Sequence, residues 1–431
     1  MSIGIIILFI SMLIPIGIPA DNNYNPLDGG WVEEIDGVTV LHVSGSYYEM
    51  GYQHGSLLED KIEENIRGFF DFFERREWTY DDILDVWTIQ EHYLPDVYKQ
   101  EIQGMADATG LNYERIAVHN TWMGVFNLMF SCWGASMWGN ATVDGKMLHM
   151  RSVDGMNMIQ DPETGSFLYE NQVILIRNPD DAYASISPVF AGDIVIIGGF
   201  NEQDVGVSEL TVIADDTTFH GINAGYRMRM VLDFADDANE AIEIMNSNRT
   251  CCWNFIVSDG HQPMGFALEQ SAQYAYAYTC LDKVESIDPF WAIEDVVRRG
   301  NTYHTPSLAD IEILRKSYDI SSLMSFIRAY ILRTDPSYIT WIQYKSISDE
   351  IENRYGTFTY ETALDLLRDV YLGETNIMFR FIWRQSLSPR QWVGCPETGD
   401  FAICFAEEGR EPYRNPVCTF NFYDLLNSEP P

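Results

Sequence analysis

The sequence predicts an α+β protein built of layered helices and sheets, not a Rossmann-type alternation of single strands and helices. Three observations carry this. Up to residue 131, apolar residues recur mainly at helical spacing, three and four apart. From Cys132 to about Asp215 the pattern changes to short alternating and β-branched runs. Beyond that, blocks of helix and blocks of strand follow one another to the carboxy terminus, with no internal repeat and no low-complexity linker. At 431 residues and 46% hydrophobic, the chain is long enough for one large core or two ordinary domains.

Residues 2–19 carry no charge, and the segment reads as an export signal ending near Ala20. That reading is preferred over an uncleaved anchor because Pro15 and Pro19 interrupt the helix and Asp21-Asn22-Asn23 follows at once. The expected location is therefore secreted or extracytoplasmic, with membrane contact only through this segment if it is retained. Trp31 to Ser46 alternates as short strands do, with Val38, Val40, Leu41 and Val43 as apolar content. Gly51 to Gly55 leads into a helix with Leu58, Ile62, Ile66, Phe69, Phe70 and Phe73 along its apolar stripe. After Pro95, Val97, Ile102, Met105 and Ala106 define a second helix that ends at Gly110.

Strands are predicted at Leu148–Met150, Val173–Ile176 and Asp193–Ile197. Helices return at Met228–Met245 and between Ser307 and Tyr371. Phe255–Val257 and Gly265–Leu268 read as a hairpin about Asp259-Gly260, and the last strands fall near Trp392 and at Phe401–Phe405.

The formal net charge of −37 repels phosphate backbones and argues against a nucleic-acid partner. A solvated acidic surface is its ordinary meaning, and it does not identify a substrate. Of the seven cysteines, the six other than Cys132 form an even set compatible with disulfides in an oxidising compartment. Asn140-Ala-Thr142 and Asn248-Arg-Thr250 match the glycosylation pattern, a short motif that recurs by chance.

Several familiar catalytic motifs fail. Gly139 to Lys146 is one residue too long for a phosphate loop, and Met147 stands where Ser or Thr is needed. Gly206-Val-Ser208-Glu-Leu210 lacks the closing glycine of a nucleophile elbow. No His-Glu-x-x-His or Cys-x-x-Cys pair occurs, so neither metal nor other cofactor is predicted.

What remains is Cys132, followed by a strand of small and aromatic residues, an Asp144-Gly145 turn, and a second strand ending in Arg151 and Asp154. That order suits a cysteine nucleophile on an edge strand, with a cation and a carboxylate delivered beside it by the returning strand. A lone cysteine in an apolar strand is usually a buried small hydrophobe; the surrounding set is what favours chemistry. A free thiol ionises at about 8.5, whereas an α-amino group titrates at about 7.7–8.0 and accepts a proton near neutrality. Breaking the Ser131–Cys132 bond puts nucleophile and base on one residue.

Cys132 with Trp138-Gly139, and Met150-Arg151-Ser152-Val153-Asp154, resemble the mature start of N-terminal-nucleophile (Ntn) hydrolases of the isopenicillin N acyltransferase-like group. Choloylglycine hydrolase, penicillin V acylase and acid ceramidase are more distant relatives. Tyr48 to Gly55 and Glu101 to Gly110 resemble the group's propeptide. Gly198-Gly199-Phe200-Asn201-Glu202 with Gly206 to Ser208, Asn301-Thr-Tyr-His304 and Arg315 resemble later segments. Ser131 in place of Gly, Met150 of Gly, Ser152 of Asn, and Thr302 of His are departures from the pattern.

The resemblance implies a four-layer αββα sandwich with antiparallel sheets. Residues 1–20 are then expected as a signal peptide or anchor, 21–131 as a mostly helical propeptide or α-chain, released or kept as a bound partner chain, and 132–431 as the mature catalytic chain. It implies hydrolysis or acyl transfer of a small-molecule linear amide (an N-acyl amino acid, acylated lactam or lipid amide) through a thioester on Cys132. Arg151 would lower the thiol pKa or hold a substrate carboxylate, and Asp154 would orient the amine. Asn201 and Asn301 would donate to the oxyanion, and Arg315 would be a further active-site cation. Duller roles stand beside these: an Arg151–Asp154 structural pair, a turn at Asn201, a helix cap at Asn301, and an Arg315–Glu312 surface pair. Glu269 is placed outside the site. A phospholipase B-like ester hydrolase on the same fold and a non-catalytic exported binding protein are the alternative functions.

Overall fold

The computed structural model describes residues 25–125, 132–156, 158–313, 336–373, 388–407 and 409–431, without the side chains of 336–340. The leading segment contributes β1 (Trp31–Ile35), β2 (Val38–Gly45), α1 (Tyr47–Leu57), α2 (Glu59–Glu74), α3 (Tyr80–Gln90), α4 (Asp96–Thr109), α5 (Tyr113–His119) and α6 (Trp122–Val125). After Cys132 come β3 (Trp133–Gly139), β4 (Gly145–Val153), β5 (Gln172–Pro179), β6 (Ser185–Phe190), β7 (Gly198–Asn201) and β8 (Val205–Thr211). Next are α7 (Ala224–Phe234), α8 (Ala238–Asn246), β9 (Trp253–Asp259), β10 (Met264–Gln270), β11 (Ala275–Tyr278) and β12 (Val296–Arg299). The chain ends with α9 (Pro306–Ala309), α10 (Pro336–Asn353), α11 (Tyr360–Leu372), β13 (Arg390–Cys395), β14 (Asp400–Phe405), β15 (Cys418–Asn421) and α12 (Phe422–Leu426).

The strands form a nine-stranded sheet, ordered β1-β2-β5-β6-β7-β8-β9-β10-β11, and a six-stranded sheet, ordered β12-β3-β4-β13-β14-β15. The sheets pack on each other through β3, β4 and β12 against β8, β9 and β10. Helices α1, α7 and α8 cover the large sheet, and α11 covers the small one with α10 beside it. The predicted four-layer αββα sandwich is therefore the architecture observed. Among the named strands of the described residues, β2 and β5 pair in parallel and the other pairs are antiparallel. Among the described residues, no helix is long and apolar enough to cross a membrane, and the apolar run 2–19 lies outside them.

Local chemistry explains the helical layer. Ser46 and Glu49 form a capping box that starts α1. On α2, Ile62, Ile66, Phe69 and Phe73 are buried, as their spacing predicts. Helices α1 and α4 cross at Gly51 and Gly104. A Cβ at Gly51 would lie 2.0 Å from the Glu101 carbonyl oxygen, and one at Gly104 2.0 Å from that of Tyr48. Only glycine permits backbones to approach this closely.

A buried ionic cluster ties α1 and α4 to α7. The Arg229 Nε donates to both Asp233 oxygens at 3.0 Å, and its Nη1 to Glu101 at 3.2 Å. The hydroxyls of Tyr47 and Tyr98 donate to Asp233 at 3.0 and 2.9 Å. Burial pushes the Glu101 carboxyl up to about 7, against the pull of Arg229.

Three local expectations change. Asp193–Ile197 is not a strand but a buried connection, whose Ile194 and Val195 N–H groups donate to the Asn120 side chain. Apolarity there reports burial, which a β-branched run cannot separate from strand. Met228–Met245 is two helices, because Asp237 caps α8 through the N–H groups of Asn239 and Glu240. The strand that follows Cys132 is not an edge strand, because β3 lies between β12 and β4.

Candidate active site

Cys132 immediately precedes β3, which pairs with β4 so that Trp133 faces Ser152 and Gly134 faces Arg151. This register brings Arg151 and Asp154 beside the sulfur, as the contiguous sequence predicts. The thiol is 3% exposed, with the Arg151 guanidinium and the Asp154 backbone N–H against it. Burial raises the Cys132 thiol pKa, Arg151 lowers it, Glu209 and Asp154 raise it, and it comes to about 11. In the uncut chain the group is a neutral thiol.

Arg151 Nη2 donates to Glu209 Oε1 at 2.7 Å, and its Nη1 reaches the Trp133 carbonyl at 3.4 Å. Burial opposes its charge, but Cys132 and Glu209 hold it charged above the ordinary range. The second Glu209 oxygen is buried without a hydrogen-bond partner among the described residues. Burial raises the Glu209 carboxyl, with Arg151 pulling the other way. Glu209 is a site residue that the sequence reading missed; the signal was an acid within the otherwise apolar run Val205–Leu210.

The nitrogen of Cys132 has its own partner. Its N–H donates to Asn301 Oδ1 at 2.6 Å, and Asn301 Nδ2 donates to the Thr211 carbonyl at 2.7 Å. Asn301 was expected as an oxyanion donor; in this structure it is the acceptor that holds the Cys132 nitrogen. Asp154 was expected to orient that nitrogen. Its carboxylate instead accepts bonds from Ser152 (2.9 Å), Gln343 (2.8 Å), Tyr371 (2.7 Å) and Ser388. Burial nevertheless raises the Asp154 pKa, with these donors opposing. Asp154 thus fixes the end of β4, and its backbone serves the sulfur.

Asn201 does not reach the site. Its Nδ2 donates to the Leu232 and Ala235 carbonyls, and its Oδ1 accepts from Gln203 and Val205. All four bonding positions are spent closing α7 and the β7–β8 turn, which corrects its assignment as an oxyanion donor. Ser131 and Arg315 lie outside the described residues. Glu269 stays away from the sulfur, bonding Arg299 and the His304 and Thr305 N–H groups. The expected disulfides are absent: all seven cysteines are free thiols. Cys404 and Cys418, for example, lie near the Gln391 and Asp36 carbonyls respectively.

Trp122, Cys132, Val153, Met156, Glu209 and Trp253 line a cleft at the sulfur with about 10 Å³ of free space, room for one water. Among the described residues the site holds a thiol, a cation, a carboxylate and apolar walls around this small space. Trp122 comes from the leading segment, so both sides of the Ser131–Cys132 bond build it.

Fold and site together define an αββα sandwich with a buried cysteine at a strand head. No protein-family model matches the chain. It is 23% identical over 380 residues to an uncharacterized protein of Archaeoglobus fulgidus, covering 78% of this chain and 59% of that one. It is 24% identical over 247 residues to protein dcd1B of Dictyostelium discoideum, covering 51% and 47%. The chain thus spans about half to three fifths of the length of these relatives. Among solved structures, it is similar to a Caenorhabditis elegans ortholog of N-acylethanolamine-hydrolyzing acid amidase: TM-score 0.42, 12% identity, covering 67% of this chain and 100% of that one. A variant of conjugated bile acid hydrolase from Clostridium perfringens gives TM-score 0.39 and 14% identity, covering 69% and 95%.

Proposed function

We propose that this chain is a self-activating cysteine amide hydrolase of the N-terminal-nucleophile kind. One observation carries the reading: the two reactive atoms of Cys132 are held separately, its nitrogen by Asn301 at 2.6 Å and its sulfur by Arg151 and the Asp154 N–H. Any buried backbone N–H needs an acceptor, but a merely structural cysteine needs no guanidinium against its sulfur.

In the first step the Cys132 sulfur attacks the Ser131 carbonyl carbon. The Ser131–Cys132 C–N bond breaks and the nitrogen takes the thiol proton, giving a free amine and a thioester; water then hydrolyses the thioester, leaving the Ser131 carboxylate on one fragment and the free thiol of Cys132 on the other. That amine then accepts the thiol proton, and the thiolate attacks the carbonyl carbon of a linear amide. The amide C–N bond breaks, the ammonium returns its proton to the leaving amine, and a thioester remains on Cys132. Water, or a second amine, attacks the thioester and regenerates the thiol. The apolar walls of Trp122, Val153, Met156 and Trp253 suit a hydrophobic acyl group once the cleft opens.

Intact mass with amino-terminal sequencing tests this. The purified protein should yield a fragment beginning at Cys132, and Cys132→Ala should remain whole and inactive on acyl amides. Fully active protein that is never cut would overturn the proposal.

A further inference from the structure

We propose that Asn254 is a positioning residue that sets the Cys132 nitrogen by fixing the turn carrying Asn301. The inference rests on Cys132 using its own nitrogen as base. Asn254, on β9, is fully buried. Its Nδ2 donates to the carbonyl of Gly300 at 2.9 Å and to that of Thr302 at 2.8 Å, the residues on either side of Asn301. One amide thus straddles the residue whose Oδ1 receives the Cys132 N–H at 2.6 Å. Both partners are acceptors, so the amide can be oriented only with its nitrogen toward the turn.

The neighbouring strand supplies the second constraint. Asn254 is paired with Leu210 and Trp253 with Thr211, whose carbonyl takes the Asn301 Nδ2. Adjacent positions on two paired strands therefore hold the turn and the Asn301 side chain together. Farther along, the Glu269 carboxylate accepts the His304 and Thr305 N–H groups, each at 2.8 Å, and closes the other end. Without Asn254, the Gly300 and Thr302 carbonyls lose their shared donor and Asn301 is free to drift. A displacement of about 1 Å at a reacting group costs on the order of a hundred-fold in rate.

The test is the isosteric Asn254→Asp, which removes both donors and opposes the carbonyls with a charge, alongside Asn254→Ser, which keeps one donor. With Asn254→Asp, the fragment starting at Cys132 should appear about a hundred-fold more slowly, and with Asn254→Ser about tenfold more slowly. In the cut fraction, the acid limb of the pH–rate profile should move to lower pH, because a displaced Asn301 carbonyl no longer stabilises the ammonium. Asn254→Asp combined with Asn301→Ala should cut no more slowly than Asn301→Ala alone, since the first acts through the second. If Asn254→Asp does not fold, Asn254→Ser carries all three measurements. Cutting within about two-fold of wild type, additive losses in the double variant, or an unmoved acid limb would each overturn the proposal. A cut wild type with indifferent Asn254 variants defeats this inference alone, whereas a wild type that never cuts defeats the parent reading as well.

Discussion

Asp233 is one place where the leading segment and the remainder of the chain depend on each other. Replacing it with alanine leaves the Tyr47 and Tyr98 hydroxyls without their acceptor and the Arg229 Nε without its partner, all in a buried setting. Breaking a buried pair costs about 3–5 kcal/mol, and each orphaned buried hydroxyl about 1–3 kcal/mol. These groups share one network and do not add, so about 5 kcal/mol is the reasonable expectation. The assay uses two samples. In uncut Cys132→Ala protein, Asp233→Ala should lower the urea midpoint of unfolding. In self-cut protein, the two fragments should co-elute by size exclusion in buffer and separate at less urea than the wild-type fragments need. Asp233→Asn, which keeps an acceptor for the tyrosines, should fall between. An Asp233→Ala protein with both midpoints unchanged would refute the claim that this cluster joins the two segments.

In the uncut fraction, a Cys132 pKa of about 11 leaves on the order of one thiol in ten thousand ionised at pH 7, against about 3% for a free cysteine. Iodoacetamide labelling followed by mass spectrometry should therefore be slow and rise about tenfold per pH unit; Glu209→Gln, which removes a charge that raises the thiol, should speed it, and labelling at the free-thiol rate would contradict this account. His149 lies between Ser208 and Ser258, and burial foremost, with Arg151 adding, depresses it to about 3. The unfolded chain then binds the extra proton first, so stability is lost as pH falls below about 6.5, by about 2 kcal/mol between pH 7 and 5. His149→Gln should flatten that part of the stability–pH curve, and an unchanged slope would count against it. Gly104→Ala puts a methyl 2.0 Å from the Tyr48 carbonyl oxygen, so α1 and α4 must separate. Its melting temperature should drop by several degrees or the chain should fail to accumulate, and a wild-type melt would show that the crossing is looser than described.

The hairpin from Cys132 to Asp154 was legible because its chemistry is contiguous. Alternation along two paired strands is enough to bring Arg151 to the sulfur. Glu209 and Asn301 come from a distant strand and a distant turn, and only sheet pairing joins them to Cys132. Asn201 misled for the converse reason. An amide beside two glycines and an acid looks catalytic in one dimension, while in space it closes a helix end. Three of the four donors to Asp154 were invisible for the same reason as Glu209, since they come from α10, α11 and the residue before Pro389. The helical stripe of α2 and the end of α4 at Gly110 were readable, because period and punctuation are local properties.

The parallel pairing of β2 with β5 has a practical corollary for anyone producing the protein recombinantly. A shortened gene that begins at Cys132, designed to bypass self-cutting, would strip two strands from the large sheet and leave β5 as a bare rim. Leu175 would lose Leu41, which stands opposite it in the register and shares its core, and the open backbone would invite pairing between molecules. Such a product should accumulate as aggregate; supplying residues 21–131 as a separate polypeptide during refolding is the rational remedy.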